Sequence, residues 1–363
     1  MTFDYDENQL MFRASVERFL DGSDIASRKA QRASPGGIDR TRWQAMADLG
    51  LTAMALDESR GGLGSSLLDL VAVGESFGLR ISSDNWLENA VLPLAILGAA
   101  LPQDHALIDA LVGGEAVATL AVFEPESRHV TTPRSTAAKA TATGYALSGD
   151  KTFVLGGMAA DWLLVSAVLD GNPALFAVRS DAPGVFRRGH RIIDGNTAAE
   201  VQLRGCELGS DARLAVEWAQ VEQVLTTGRL IAAAEMTGLA QRLFDDTLAY
   251  VRQREQFGQP IGRFQAIQHR MVDCYGLVDQ CRSALIAAVT SGDAAEIAGM
   301  KAVVAEAALH IGREAIQLHG GMGTTDELEI GHAHKRVLLL SQWLGDASCG
   351  LDAYAPKALE KAA

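Results

Sequence analysis

Three long helical stretches in the last third of the 363-residue chain constrain its fold most strongly. They cover residues 229–251, 265–289 and 293–318, and each carries many Ala and Leu residues with few helix breakers. Each is long enough for about six helical turns, and alone it would expose a large apolar surface. Such helices must pack on one another, so the sequence predicts a C-terminal antiparallel bundle. Because the alanines allow close helix approach, this bundle is also the expected oligomer interface.

The periodicity of the chain changes between about Val117 and Leu214. Short runs rich in Val, Leu, Thr and Phe are bounded there by Gly, Asp, Asn and Pro, which is typical of strands and turns. Turns are expected at Ser148–Asp150 and at Asp170–Pro173. About five or six strands with no helix between them predict an antiparallel sandwich or barrel.

The first third of the chain is predicted to be helical. Apolar residues recur at helical spacing from Glu7 to Leu20, and similar patterns follow as far as residue 111. The sequence therefore predicts an α+β protein in three parts. These are an N-terminal helical domain at 1–118, a β-domain at 119–216 and a C-terminal helical bundle at 217–363.

The charge balance argues against two classes of partner. The chain has 45 acidic and 32 basic residues, a formal net charge of −13, and no long Lys/Arg cluster. Nucleic acid and anionic membrane surfaces are therefore poor partners. A nucleotide-like ligand remains open, because it needs only a local Arg, backbone N–H groups or a helix N-terminus.

Sequence features also predict the compartment. The N-terminus lacks the basic and apolar regions of a secretory signal, and no apolar stretch reaches the ~20 residues that cross a bilayer. No CxxC spacing occurs among the four cysteines, so no zinc or other metal site and no dithiol motif is predicted. A cytoplasmic protein with free thiols is expected; the cysteines are Cys206, Cys274, Cys281 and Cys349.

The most informative segment runs from Tyr250 to Gln268, between two of the long helices. It places Arg254 and Phe257 on a loop that contains several Gly and Pro residues. An Arg and an aromatic residue on such a loop suit a cofactor with a pyrophosphate. The guanidinium can donate two hydrogen bonds to phosphate oxygens, and the aromatic ring can cover a flat surface of the cofactor. On chemistry alone, a connector whose Arg caps a helix end is equally consistent.

Two motifs resemble signatures of the acyl-CoA dehydrogenase family. The first is R-x-x-F-G-x(6)-Q, formed by Arg254, Phe257, Gly258 and Gln265. The second is the QLHGGMG segment at 317–323. The order of helical domain, β-domain and four-helix C-terminal bundle is similar over essentially the whole chain. A pair of motifs in this order is much more specific than a single glycine-rich match.

The resemblance implies FAD as cofactor, lying between the β-domain and the C-terminal bundle. The residues that would contact it are Arg254, Phe257 and Gln265 on a flavin held mainly by a neighbouring subunit, and Gln317, Gly320 and Gly321 at its ADP moiety. It also implies a homo- or hetero-oligomer (dimer or tetramer), an acyl-CoA substrate and room for an electron-transfer partner. The family reaction removes the α-proton and transfers the β-hydrogen to flavin as hydride, which gives a trans-2-enoyl thioester.

This reaction needs a carboxylate base, and both places where the resemblance puts a glutamate are changed. The position after the second motif is Leu344, and the alternative position before Arg229 is Gly228. Asp346 lies two residues beyond Leu344 and is a candidate displaced base. The competing interpretation of Asp346 is an exposed acid at a helix end.

Two β-domain segments also depart from the family pattern. The family commonly has T-E-P-G-A-G-S-D where this chain has FEPESRH at 123–129, and W-I-T-N where it has Phe153–Gly156. Polar contacts to the flavin ring are thus largely replaced by apolar groups. This weakens the expectation that the β-domain of this chain holds a flavin itself, even if Arg254 serves the flavin of a partner.

Several functions remain open. The preferred one is a partner subunit without its own base in a heteromeric acyl-CoA dehydrogenase, of the kind known in bacterial breakdown of bulky steroid side chains and dicarboxylic acids. The alternatives are an active homomeric FAD enzyme with a displaced base, a catalytically silent scaffold subunit, and a flavin oxidase or monooxygenase on the same fold.

Overall fold

The computed structural model describes residues 5–102 and 105–362. The helical prediction for the first third is confirmed by helices α1 Glu7–Leu20, α2 Ile25–Ala33, α3 Arg40–Asp48, α4 Leu67–Leu79, α5 Leu92–Ala100 and α6 Ala106–Val112. Helix α1 has the bounds that the periodicity predicts. Asp6 and Gln9 fix its first residue, because they form a capping box at the first turn. A single turn of π-helix at Leu87–Val91 leads into α5.

The middle of the chain forms a seven-stranded sheet in the order β1-β4-β2-β3-β7-β6, with β5 also paired to β4. The strands are β1 Ala118–Ala121, β2 Ala137–Ala140, β3 Gly144–Leu155, β4 Trp162–Leu169, β5 Asn172–Arg179, β6 Val185–Arg191 and β7 Thr197–Gly209. The antiparallel prediction is confirmed for β2–β3, β3–β7, β4–β5 and β6–β7. Strands β1 and β2 run parallel to β4.

One of the two predicted turns is present. Leu169 pairs with Asn172, so Asp170 and Gly171 form a two-residue hairpin loop. The turn predicted at Ser148–Asp150 is wrong, because β3 continues through it. Residues on both sides of Gly149 pair with β7 instead of with each other, and the register shifts between Leu147 and Gly149. The Ser148-Gly149-Asp150 residues that suggested a turn therefore lie at a β-bulge.

The predicted C-terminal bundle is confirmed by α7 Trp218–Gln253, α8 Gln265–Ser291, α9 Ala294–His319, α10 Glu329–Gln342 and α11 Ala347–Ala362. Helix α9 packs against α8, α10 and α11, and more than half of its residues are buried. A small hairpin of β8 Glu255–Gln256 and β9 Gln259–Pro260 joins α7 to α8. In the part of the chain that the structure describes, no helix is long and apolar enough to span a bilayer.

The described chain divides into two compact units. The first contains residues from 1–28, 67–82 and 229–363, and the second contains residues from 29–66 and 83–228. Within the first unit α4 and α7 cross closely at a glycine pair. A Cβ on Gly78 would lie 1.9 Å from the carbonyl oxygen of Glu235, and one on Gly238 would lie 2.1 Å from that of Glu75. The domain boundaries at 118/119 and 216/217 stay a prediction.

Candidate functional site

The first motif forms an exposed hairpin between α7 and α8. Its backbone is fixed at Arg254, whose N–H donates to the Tyr250 carbonyl at 2.8 Å and whose carbonyl accepts from Ile261 N–H at 2.8 Å. Phe257 at the tip is 93% exposed and has a positive φ of 55°. Arg254 and Gln265 are exposed too, and within residues 5–102 and 105–362 the Arg254 guanidinium has no hydrogen-bond or ion-pair partner.

The exposure of Phe257 is unusual for so large an apolar side chain. A non-glycine residue at positive φ carries backbone strain, and such strain is concentrated at sites that bind other molecules. The ring of Phe264 meets that of Phe257 edge-on at a centroid distance of 6.1 Å, which limits its motion. The hairpin therefore presents an apolar ring and an unpaired cation outward.

The second motif lies at the C-terminal end of α9. Gly320 has a φ of 64°, and its N–H donates back to the carbonyl of Gln317. No described heavy atom lies within 4 Å of where a Cβ on Gly320 or Gly321 would be, and the Gln317 side chain is exposed. The backbone of the two glycines is therefore open to close approach by a ligand.

A ring contact joins the two motifs. Tyr250, near the end of α7, stacks on His319 with a centroid distance of 4.2 Å and an interplanar angle of 25°. The His319 ring is fixed in turn by a 2.8 Å contact from Nδ1 to the carbonyl oxygen of Ala315. The structure therefore brings the two predicted cofactor motifs together at one end of the bundle.

The position expected for the base carries a clamped leucine. Leu344 is 3% exposed, with φ at 59°, and the φ of Gly345 is 114°. Arg229 Nε donates to the Leu344 carbonyl at 2.9 Å, and Lys301 Nζ donates to the Gly345 carbonyl at 2.6 Å. A leucine in this backbone region costs on the order of 1–2 kcal/mol, which the two hydrogen bonds offset. The segment is rigidly held, yet the side chain it presents cannot take a proton.

The other two candidate positions offer no free base either. Gly228 is buried within α7 and has no side chain. Asp346 precedes α11, and its Oδ1 accepts the N–H of Cys349 at 2.9 Å. This is the geometry of an N-cap, in which the carboxylate satisfies a backbone donor of the first turn. The structure therefore gives Asp346 a helix-end role.

The pH dependence of the free energy of unfolding tests the environment of Lys301. Burial, helped by the charge of Arg229, lowers the pKa of Lys301 from 10.5 to about 7, although Asp346 and Cys349 oppose the shift. Between these values the unfolded chain binds more protons, so this group makes stability rise with pH. We expect wild-type stability to gain about 1–2 kcal/mol over Lys301→Met between pH 7 and 8.5. Urea unfolding at several pH values measures the difference, and parallel curves would contradict it.

The β-domain segment at 123–129 is anchored by a buried ion pair. Glu124, 3% exposed, accepts the Lys151 ammonium at 2.9 Å and also the N–H groups of Ser135 and Thr136 at 2.8 and 2.9 Å. Lys151 donates further to Ser166 Oγ at 2.9 Å. Burial alone would raise the pKa of Glu124, but the N–H groups of Thr136 and Ser135 and the Lys151 charge hold it well below its usual value.

In the segment Phe153–Gly156, the space beside Gly156 is occupied by a side chain from an element distant in sequence. Gly156 has a φ of 64°, and a Cβ there would lie 2.0 Å from Asn89 Oδ1. Asn89 belongs to the π-helical turn, is buried, and donates through Nδ2 to the Ala118 carbonyl at 2.9 Å. Its carboxamide therefore occupies the space that a side chain at position 156 would need.

Sequence reasoning missed three of these residues, namely Lys151, Lys301 and Asn89. Lys301 carried one usable signal, since it lies among mainly apolar neighbours and a fully buried lysine needs a partner, whereas Lys151 stands between Asp150 and Thr152 and carried no such signal. Asn89 carried none, because the π-helical turn that aims it has no signature in the residues around it.

Family descriptions match both helical parts of the chain. Residues 6–85 match the acyl-CoA dehydrogenase N-terminal domain, and residues 218–353 match the acyl-CoA dehydrogenase C-terminal domain. Acyl-CoA dehydrogenase FadE27 of Mycobacterium tuberculosis is 30% identical over 303 residues, which cover 79% of each chain.

Solved structures share the whole fold. The Tcur3481-Tcur3483 steroid ACAD is similar with a TM-score of 0.88 at 26% identity, over 98% of this chain and 99% of that one. The ChsE4-ChsE5 complex from Mycobacterium tuberculosis has a TM-score of 0.88 at 25% identity, over 99% of each chain. Both similarities run through the helical parts and the sheet alike.

Proposed function

Because this chain belongs to the acyl-CoA dehydrogenase family, a family of FAD-dependent oxidoreductases, we propose that it is a partner subunit of a heteromeric acyl-CoA dehydrogenase and lacks the glutamate base. One observation carries the proposal, namely the buried Leu344 held by Arg229 and Lys301 where the base is expected. The α-proton of the acyl thioester would then be taken by a carboxylate of another subunit.

The motifs at the end of the bundle fit an FAD held mainly by a neighbouring subunit. The exposed Arg254 guanidinium is unpaired within the described chain and suits the pyrophosphate. Phe257 and Gln265 would support it, while Gln317 and the open backbone of Gly320–Gly321 would receive the ADP moiety. When bound, FAD supplies the hydride acceptor of the α,β-dehydrogenation.

The β-domain of this chain fits a flavin less well. Phe153 replaces the tryptophan of the family pattern, and the last position of that pattern is Gly156, whose side-chain space is filled by Asn89. We therefore assign this chain the role of completing a site on a partner. The similarity to a steroid ACAD and to a two-subunit complex supports a heteromer that acts on a bulky acyl-CoA.

The visible spectrum tests this proposal. We expect the purified chain to show little of the visible absorption of oxidised flavin, and co-expression with a base-containing partner to restore that band. Stoichiometric flavin in the chain alone, together with turnover of an acyl-CoA, would contradict the partner role.

Arg254→Ala should weaken flavin retention by the assembly about tenfold or more. Removing a charge-assisted phosphate contact typically costs about 1.5–3 kcal/mol. Arg254→Lys should lose part of this affinity, because an ammonium cannot form the two-pronged contact. Arg263→Ala, which removes another exposed arginine of the same loop, is the matched control. Equilibrium dialysis of FAD measures the effect, and unchanged retention in Arg254→Ala would refute the assignment.

A further inference from the structure

A cavity of about 180 Å³ lies between α1, α4 and α8, in the first compact unit. It is near the end of α8 opposite the Arg254 hairpin, about 30 Å along the helix at 1.5 Å per residue. One side is aliphatic and is formed by Leu68, Val71, Leu285, Ile286 and Val289. The volume is roughly that of six waters, which is room for a small organic molecule.

The polar end of the cavity contains a carboxylate with one unused oxygen. Tyr5 Oη donates to Glu75 Oε2 at 2.8 Å, and Arg13 Nη1 lies 3.4 Å from the same oxygen. Glu75 Oε1 has no hydrogen-bond partner in the residues that the structure describes. The side chain of Glu75 is only 12% exposed, so the carboxylate is largely removed from water.

A cation with no partner faces the same cavity. Arg282 on α8 lines it, is exposed, and forms no hydrogen bond or ion pair with any described residue. Arg13 differs, because its guanidinium already forms ion pairs with Glu17 at 2.9 Å and with Glu75 at 3.4 Å. The cavity thus offers a negatively charged hydrogen-bond acceptor at Glu75 Oε1, a positively charged guanidinium at Arg282 and an aliphatic wall.

Burial makes the ionised form of Glu75 less favourable than it is in water, even with two arginines nearby. Burial raises the pKa of Glu75, although the Tyr5 hydrogen bond and the charges of Arg13 and Arg282 act in the opposite direction. A ligand cation at Oε1 would stabilise the ionised carboxylate and offset the raised pKa. A ligand anion alone would instead add a second negative charge beside Glu75.

We propose that this cavity binds a small aliphatic α-amino acid as its zwitterion. The ammonium would donate to Glu75 Oε1, the carboxylate would pair with Arg282, and the aliphatic side chain would lie against the wall of Leu285, Ile286 and Val289. Only a ligand with both charges can pair with both Glu75 Oε1 and Arg282 at once. The proposal is independent of the flavin motifs and of the partner role.

Isothermal titration calorimetry tests this proposal. The full chain is titrated with three compounds that share a similar branched alkyl group and differ in their charged groups. L-Leucine carries both charges, isopentylamine only the cation, and 4-methylpentanoate only the anion. We expect leucine to bind at least tenfold more tightly than either of the others. No binding of leucine, or equal binding of the amine or the carboxylate, would overturn the proposal.

Two variants assign the charges. Arg282→Gln should reduce leucine affinity about tenfold or more, to the level of isopentylamine, and its exposed position leaves the core intact. Glu75→Gln keeps a partner for Tyr5 and should reduce leucine to the level of 4-methylpentanoate. Gln280→Ala, an exposed change on the same helix outside the cavity, should leave binding unchanged. If Arg282→Gln binds leucine as wild type does, the assigned site is wrong.

Discussion

Purified without a partner and supplied with FAD, this chain should dehydrogenate an acyl-CoA about 10²- to 10⁴-fold more slowly than relatives that keep a glutamate base. Leu344 cannot accept the α-proton, Gly228 has no side chain, and Asp346 is engaged with the N–H of Cys349. Single-turnover bleaching of the flavin by an acyl-CoA measures the chemical step. Multiple-turnover reduction of an artificial electron acceptor gives the steady-state rate.

Asp346 variants separate a displaced base from a helix cap. Asn caps a helix as well as Asp does, so Asp346→Asn should keep the cap and leave the activity of an assembled heteromer unchanged. Asp346→Ala should cost about 1 kcal/mol of stability through loss of the cap, with the same activity per folded molecule. Robust turnover by the wild-type homomer that Asp346→Asn abolishes would restore the active-enzyme interpretation.

Leu344→Glu tests whether the missing carboxylate is the only obstacle. The new side chain would be 97% shielded if it kept the place of the leucine, which is 3% exposed, and burial would raise its pKa. Its backbone would stay at the positive φ that Arg229 and Lys301 hold. We expect only a small gain in rate, because the altered β-domain segments would still misplace flavin and substrate.

A silent scaffold subunit differs from a site-completing one at Arg254. If the chain only stabilised an assembly, removing the unpaired Arg254 guanidinium would leave the FAD affinity of that assembly unchanged. The site-completing role predicts the loss given above together with intact subunit association. Size-exclusion chromatography and FAD dialysis on the same sample distinguish the two functions.

Local signals were sufficient for most of the elements. The Asp6 capping box gives α1 its first residue, and Asp293 gives α9 its start by accepting the N–H groups of Ala295 and Glu296. Periodicity distinguishes helix from strand because side-chain spacing follows backbone geometry directly. These features lie within a few residues of the element that they define, so the sequence alone is enough to place them.

The missed features depend on partners distant in sequence. Gly149 has the chemistry of a turn, but pairing with β7 on both sides keeps β3 continuous. Gly156 is explained only by Asn89, which reaches it from a π-helical turn. The cofactor motifs could be identified from their residues, yet their contact through Tyr250 and His319 depends on how α7 and α9 pack. Tertiary context decides each of these cases.

Removal of one partner from the buried pair of Glu124 and Lys151 should strongly destabilise the β-domain. Lys151→Met should lower the free energy of unfolding by about 3–5 kcal/mol, since removing one partner of a buried pair leaves the other charge uncompensated. Burial lowers the pKa of Lys151 to about 8, against the attraction of Glu124, so the ammonium is mainly charged at pH 7. Lys139→Met removes an exposed lysine from β2 and should change stability by less than about 0.5 kcal/mol.

Acid unfolding adds a second test of the same pair. The folded pKa of Glu124 lies below its ordinary value of 4.5, so its contribution is fully present above that pH and is lost as the pH falls towards the folded value. In Lys151→Met the carboxylate keeps the N–H groups of Ser135 and Thr136 but loses the ammonium, so its folded pKa rises and the acid loss shrinks. Urea unfolding at pH 7 and at pH values below 4.5 measures both effects. A Lys151→Met variant as stable as Lys139→Met, with unchanged acid dependence, would show that the backbone donors alone fix the 123–136 loop.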